Sequence, residues 1–180
     1  MPETLSIGSK IPSFSLPGVD GKEYSLESFA DKKVLVVIFS CNHCPYVQAY
    51  EDRMVAIQRD YQSKGISLVA INSNETKNYP TDSFEHMVTR AKEKSFNFPY
   101  LRDETQEVAD AFGAERTPHL FVFDQNRELA YVGAIDDNWK EPDQVKKRYL
   151  RDALDTILEG REIAEPETYA IGCTIKWESE

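Results

Sequence analysis

Two cysteines separated by two residues, Cys41 and Cys44 in FSCNHCPYV, stand where an apolar run ends and an amphipathic one begins. That spacing suits three chemistries: a dithiol that closes to a disulfide, half of a soft-metal site, or two packed thiols. If a helix opens at the pair, its free N–H groups and positive dipole end favour thiolate over thiol. Cys41 is then the expected nucleophile. Cys44, one turn on, is the expected resolving thiol. Pro45 fits a first helical turn, where its missing N–H loses nothing. Asn42 and His43 lie between the sulfurs, and an imidazole aimed at Cys41 would hold its pKa below the ~8.5 of a free cysteine and make the disulfide more oxidising. A solvent-exposed His43 with no electrostatic role is the alternative. Thr117-Pro118, opening a later strand, is the expected second half of the site, because proline cannot donate to a sheet ladder.

Other residues have competing readings. Cys173, between Gly172 and an alternating TIKW, is either a third redox thiol or a packed small hydrophobe. His43, His119 or Cys173 could complete a metal site with the pair, though a second paired-ligand motif is missing and no metal is assigned. Asp136 and Asp137 either line the site or sit in a solvated loop. His86 is read as a surface or helix-lining residue, and Phe39, Tyr46 and Tyr50 as core or as an apolar rim beside the pair.

The elements that must position these residues follow from hydrophobic pattern. VLVVIFS, Val34–Ser40, is a β-branched run suited to a strand buried on both faces, and it runs straight into Cys41. Val47, Tyr50, Met54, Ile57 and Tyr61 then recur at helical spacing until Gly65. ISLVAIN, Ile66–Asn72, is a second buried strand, followed by a polar stretch and a helix to about Lys94 with Phe84, Met87, Val88 and Ala91 inward. This β-α-β-α order predicts parallel strands with right-handed crossovers. Residues 98–103 fit a short strand, TQEVADAFG a small helix closing at Gly113, and residues 119–124 and 128–133 a hairpin. Residues 145–158 fit a last helix stopped by Gly160. Residues 1–33 form a turn-rich extension, and residues 161–180 a tail with no clear period, packed on or near a single domain spanning 1–180.

Composition bounds the class. A chain of 180 residues, 41% hydrophobic and 29% charged, suits one soluble globular domain. A formal net charge of −10 argues against nucleic acid and anionic membrane as general partners. No signal-like or membrane-spanning run is seen, and three cysteines make a poor disulfide framework, so a cytoplasmic location is expected.

Strand, CNHC opening a helix, TPHLFVFDQNRELAYVGA and a final helix together resemble the thioredoxin fold. IGSKIPSFSLPGVDGKEYSLESFADKKVLVVIFS is similar to the N-terminal half of the peroxiredoxin and thiol-specific antioxidant branch. CNHCPYVQAYEDR, AIDDN and IGCTIKW resemble the peroxiredoxin-like members that carry CxxC. The resemblance implies an α/β fold with a central mixed β-sheet flanked by helices on both faces and an N-terminal β extension. It also implies a cis peptide before Pro118 and a substrate disulfide docked on the backbone of Thr117. The expected function is thiol–disulfide oxidoreduction without cofactor, on a protein or small-molecule disulfide, recycled by a thiol reductant or reductase. Two departures stand out. The buried acid that thioredoxins carry six residues before the first cysteine is here Leu35, leaving Glu51 as a weak substitute base against a solvated-glutamate reading. The hydroxyl that peroxiredoxins carry three residues before the peroxidatic cysteine is here Ile38 for Cys41 and Cys41 itself for Cys44. Thiol peroxidase and non-catalytic metal binding are the competing functions.

Overall fold

The computed structural model describes residues 3–178. Its centre is a five-stranded sheet built from β3 (Val34–Ser40), β4 (Ile66–Asn72), β5 (Tyr100–Arg102), β7 (His119–Phe123) and β8 (Leu129–Gly133), in the order β5-β4-β3-β7-β8. β3, β4 and β5 run parallel to one another, whereas β7 pairs antiparallel with both β3 and β8, so the sheet is mixed. All seven residues of β3 and all seven of β4 are buried, as their uninterrupted apolar runs require of strands covered on both sides.

Successive β3 side chains alternate between two cores. Val34, Val36 and Ile38 face Tyr50, Met54, Ile57 and Tyr61 of α1 (Pro45–Tyr61), Met87 of α2 (Phe84–Glu93) and Leu150, Ala153 and Leu154 of α4 (Tyr149–Leu158). Leu35, Val37 and Phe39 face Val108, Ala109 and Phe112 of α3 (Glu107–Phe112), together with Phe14, Leu16 and Phe29 from the N-terminal segment. That segment forms the hairpin β1 (Ser15–Pro17) and β2 (Glu23–Ser25), joined to the body through the Val19 N–H on Tyr100 O. Phe112 makes edge contacts with Phe39, Phe121 and Phe123 at centroid separations of 5.2, 5.3 and 5.9 Å. Such pairs add roughly 0.5–1.5 kcal/mol each beyond their buried area.

Three elements depart from the sequence pattern. Phe84, expected inward, is exposed at the first turn of α2, where only Met87 is fully buried and Val88 and Ala91 are half-buried. The last helix begins at Tyr149 rather than 145, because Pro142–Gln144 form a short 3-10 turn that leaves Val145 extended. The tail contains a strand, β9 (Cys173–Thr174), paired antiparallel with β6 (Arg116–Thr117). Among the described residues no helix is long and apolar enough to cross a membrane.

Candidate active site

β3 ends at Ser40 and α1 begins at Pro45, so Cys41 through Cys44 form a loop at the end of a central strand. Cys44 is the N-cap of α1, with extended backbone and Pro45 at the first helical position. Cys41 therefore lies before the helix and not in its first turn. Both sulfurs belong to residues only 2% exposed, and all three cysteines are free thiols.

The two sulfurs titrate in opposite directions. The hydrogen bond from Cys41 is the main cause that holds Cys44 down at about 4, against burial, with the Cys173 thiol and the backbone N–H groups of Val47 and Cys173 adding to it. The same bond pushes Cys41 well above the ordinary thiol range, and burial and the nearby Asp82 carboxylate push it the same way. The thiolate is thus favoured on Cys44, where a Cys41 thiolate was expected, first by the Cys41 hydrogen bond and then by the Cys173 thiol and the backbone N–H groups of Val47 and Cys173. Cys173 is pushed up to about 11, first by burial and then by its hydrogen bond to Cys44.

Cys173 lies against the pair. Its Sγ is 2.7 Å from Cys44 Sγ, since β9 sets Cys173 opposite Thr117 and Ile175 N–H bonds Glu115 O. The reading of Cys173 as a packed hydrophobe is therefore replaced by one of a three-sulfur cluster, lined by Val47 and Tyr46. A register two residues long, set by tertiary contact, leaves no periodic signal in the sequence.

Thr117 completes the cluster from the other side. The Thr117–Pro118 peptide is cis. Thr117 Oγ1 lies 3.6 Å from Cys41 Sγ, and the Thr117 carbonyl lies 3.5 Å from Cys44 Sγ, where it accepts from the thiol when Cys44 is protonated. The pairing edge of Thr117, expected to receive substrate, is occupied by β9.

Asn42 and His43 do not aim at sulfur. Asn42 donates its backbone N–H to Asp82 Oδ1 at 2.7 Å and its amide to Thr81 O, and its Oδ1 accepts from the Tyr100 hydroxyl at 2.8 Å. His43 Nδ1 lies 2.9 Å from Asp82 Oδ2 and 3.1 Å from Thr81 Oγ1, with its ring stacked on Tyr79. Both expected tuning residues instead fasten the loop to Asp82, a fully buried carboxylate that also accepts from the side-chain amides of Asn72 and Asn74. This ring of donors makes the buried charge tolerable. Asp82 was hidden in a polar stretch, and only the fold brings it to the loop.

The remaining candidates have structural partners. Glu51 is buried and paired with Arg90, which removes both the solvated reading and its candidacy as a free base. Asp136 is buried, accepts from the Tyr50 hydroxyl at 2.8 Å and from Arg53 at 2.9 Å, and ties the loop after β8 to α1. Asp137 accepts the Lys146 backbone N–H. His86 Nδ1 contacts Ser83 Oγ at the cap of α2. His119 is buried, accepts the Glu115 N–H at Nδ1, and is pushed down to about 4 by burial and then by Arg116, so it is neutral near pH 7. Phe39 is core, while Tyr46 packs on Trp139 with ring centroids 4.3 Å apart. Among the described residues no group of three or more His, Cys, Asp or Glu side chains is arranged to hold a metal ion.

Residues 6–148 match the family model described as Redoxin. An uncharacterized conserved protein from Geobacillus kaustophilus superposes with a TM-score of 0.92 at 41% identity, covering 100% of this chain and 98% of that one. Thiol-disulfide oxidoreductase ResA of Geobacillus thermodenitrificans (strain NG80-2) is 27% identical over 130 residues, 71% of this chain and 69% of that protein. A thiol:disulfide interchange protein of the thioredoxin family from Chlorobium tepidum TLS superposes with a TM-score of 0.66 at 23% identity, covering 86% of this chain and 99% of that one. That last likeness carries the fold alone, and it agrees with the mixed sheet and flanking helices described above.

Proposed function

We propose, from the premise that this chain belongs to the Redoxin family, that it is a thiol–disulfide oxidoreductase working through the Cys41–Cys44 couple. One observation carries the reading: the Cys41 and Cys44 sulfurs lie in one buried cluster at the start of α1, both against Thr117, in an arrangement that holds the Cys44 pKa down at about 4. Cys44 then serves as the base that the Leu35 position lacks. Its thiolate takes the Cys41 proton as Cys41 attacks a substrate disulfide, one Cys41–substrate bond forms, and the first substrate thiolate leaves and takes the proton from Cys44. Cys44, again anionic, attacks the Cys41 sulfur, releases the second substrate thiolate and closes the Cys41–Cys44 disulfide. Two electrons pass from the dithiol to the substrate, and an external thiol must return them. No cofactor is required for any step. The odd cysteine count supports placing the protein in a reducing compartment such as the cytoplasm.

The test is turnover of a small disulfide such as oxidised glutathione. Cys41→Ser should abolish turnover, and Cys44→Ser should accumulate a mixed disulfide on Cys41. A Cys41→Ser protein that turns over at the parent rate would remove the assignment.

A thiol peroxidase is the second reading, and Thr117 Oγ1 beside Cys41 favours it by supplying in space a hydroxyl missing from the sequence pattern. The protonation pattern disfavours it. Peroxide chemistry needs a thiolate with donors around it. The hydroxyl here faces the protonated Cys41, while the anionic Cys44 faces a carbonyl. Thiol loss on adding hydrogen peroxide should proceed no faster than for free cysteine.

A further inference from the structure

Among the described residues, the third sulfur lies outside the two-cysteine mechanism and yet against its pair. We propose that Cys173 is a relay thiol that carries the oxidising equivalent from the buried Cys41–Cys44 disulfide to the surface; this rests on the couple assigned above.

Three observations support it. Cys173 Sγ is held 2.7 Å from Cys44 Sγ, beyond the roughly 2.05 Å of a formed bond but close enough that bond formation needs little movement. The approach is built by backbone: Thr117 pairs with Cys173 and Arg116 with Thr174, while Arg116 donates to Gly172 O and Lys176 N–H to Asn74 Oδ1. Gly172 sits so close that a Cβ there would come within 2.1 Å of Thr117 O. Finally, Cys173 is half-buried whereas Cys41 and Cys44 are each 2% exposed, so with the tail docked an external thiol meets Cys173 first.

The steps balance. After substrate reduction has closed Cys41–Cys44, the Cys173 sulfur attacks Cys44. The S41–S44 bond breaks, an S173–S44 bond forms, and the proton lost from Cys173 passes to Cys41. The oxidation state of the protein is unchanged. A recycling thiol then attacks Cys173, releasing Cys44 thiolate, and a second thiol resolves the Cys173 mixed disulfide, leaving the reductant as its own disulfide and all three cysteines reduced.

The test uses the full chain in wild-type, C41S and C173S forms. Each is oxidised with oxidised glutathione, quenched in acid, alkylated and mapped by peptide mass. A peptide linked through Cys44 and Cys173 is expected in the wild type, and again in C41S, where Cys44 has no other intramolecular partner; recovery from either supports the relay. Cys173 recovered wholly alkylated or glutathionylated from both would overturn it. C173S reports on the other claim independently: a Cys41–Cys44 linkage there keeps the oxidoreductase assignment even if the relay fails, and its absence removes that assignment.

Discussion

Cys41 and Cys44 differ in place: Cys44 is the N-cap of α1 and Cys41 lies before it, and the Val47 N–H of the helix and two thiols, Cys41 and Cys173, hold Cys44 down. The sign of the pH dependence follows. A thiol held down at about 4 stays ionised through neutral pH and gains its proton only as pH falls toward 4. The reduced protein should therefore show the ultraviolet absorbance of one thiolate at pH 7, lost with a midpoint near 4; Cys44→Ser should abolish that signal. A first midpoint near the ~8.5 of a free cysteine would contradict it. Asp82 matters in another way. Removing its charge by Asp82→Asn leaves Asn42, Asn72, Asn74 and His43 competing for a weaker acceptor and removes one of the lesser causes, after the Cys44 hydrogen bond and burial, that raise the Cys41 pKa. The expected loss is about 1–3 kcal/mol, read from the urea midpoint.

At the scale of elements, the site depends on a strand that is hydrophobic along its whole length and on a tail that is not. β3 and β4 were legible because buried parallel strands need continuous apolar runs, and α1 because its core face repeats at helical spacing. The CxxC loop was legible by position. Pro45 in the first helical turn was legible as well; that the helix opens only after Cys41, and the role of Asp82, were not, since each depends on which residues a loop meets in space. The last helix reads four residues longer in the sequence than in the fold for a similar reason: Val145 carries the right apolar spacing, but the Pro142–Gln144 turn holds it outside the helix. Two tests belong here. Phe121→Ala, which empties a fully buried ring from the face shared with Phe39 and Phe112, should cost about 3–5 kcal/mol in denaturant unfolding. Gly172→Ala places a methyl against the Thr117 carbonyl and should free β9 from β6, seen as faster amide exchange at residues 173–176 while β3 and β4 keep their protection.

The whole molecule places three sulfurs at one end of the central strand, with two cores behind them and the tail across the edge that a substrate would pair with. A Redoxin-family frame and a CxxC loop make the redox reading. The most direct check is the electron count of a single turnover. Fully reduced C173S protein mixed with a small excess of oxidised glutathione should lose both remaining thiols, release two equivalents of glutathione and yield a peptide linked through Cys41 and Cys44. If both thiols survive, or if glutathione stays attached with no such link formed, the dithiol mechanism is contradicted.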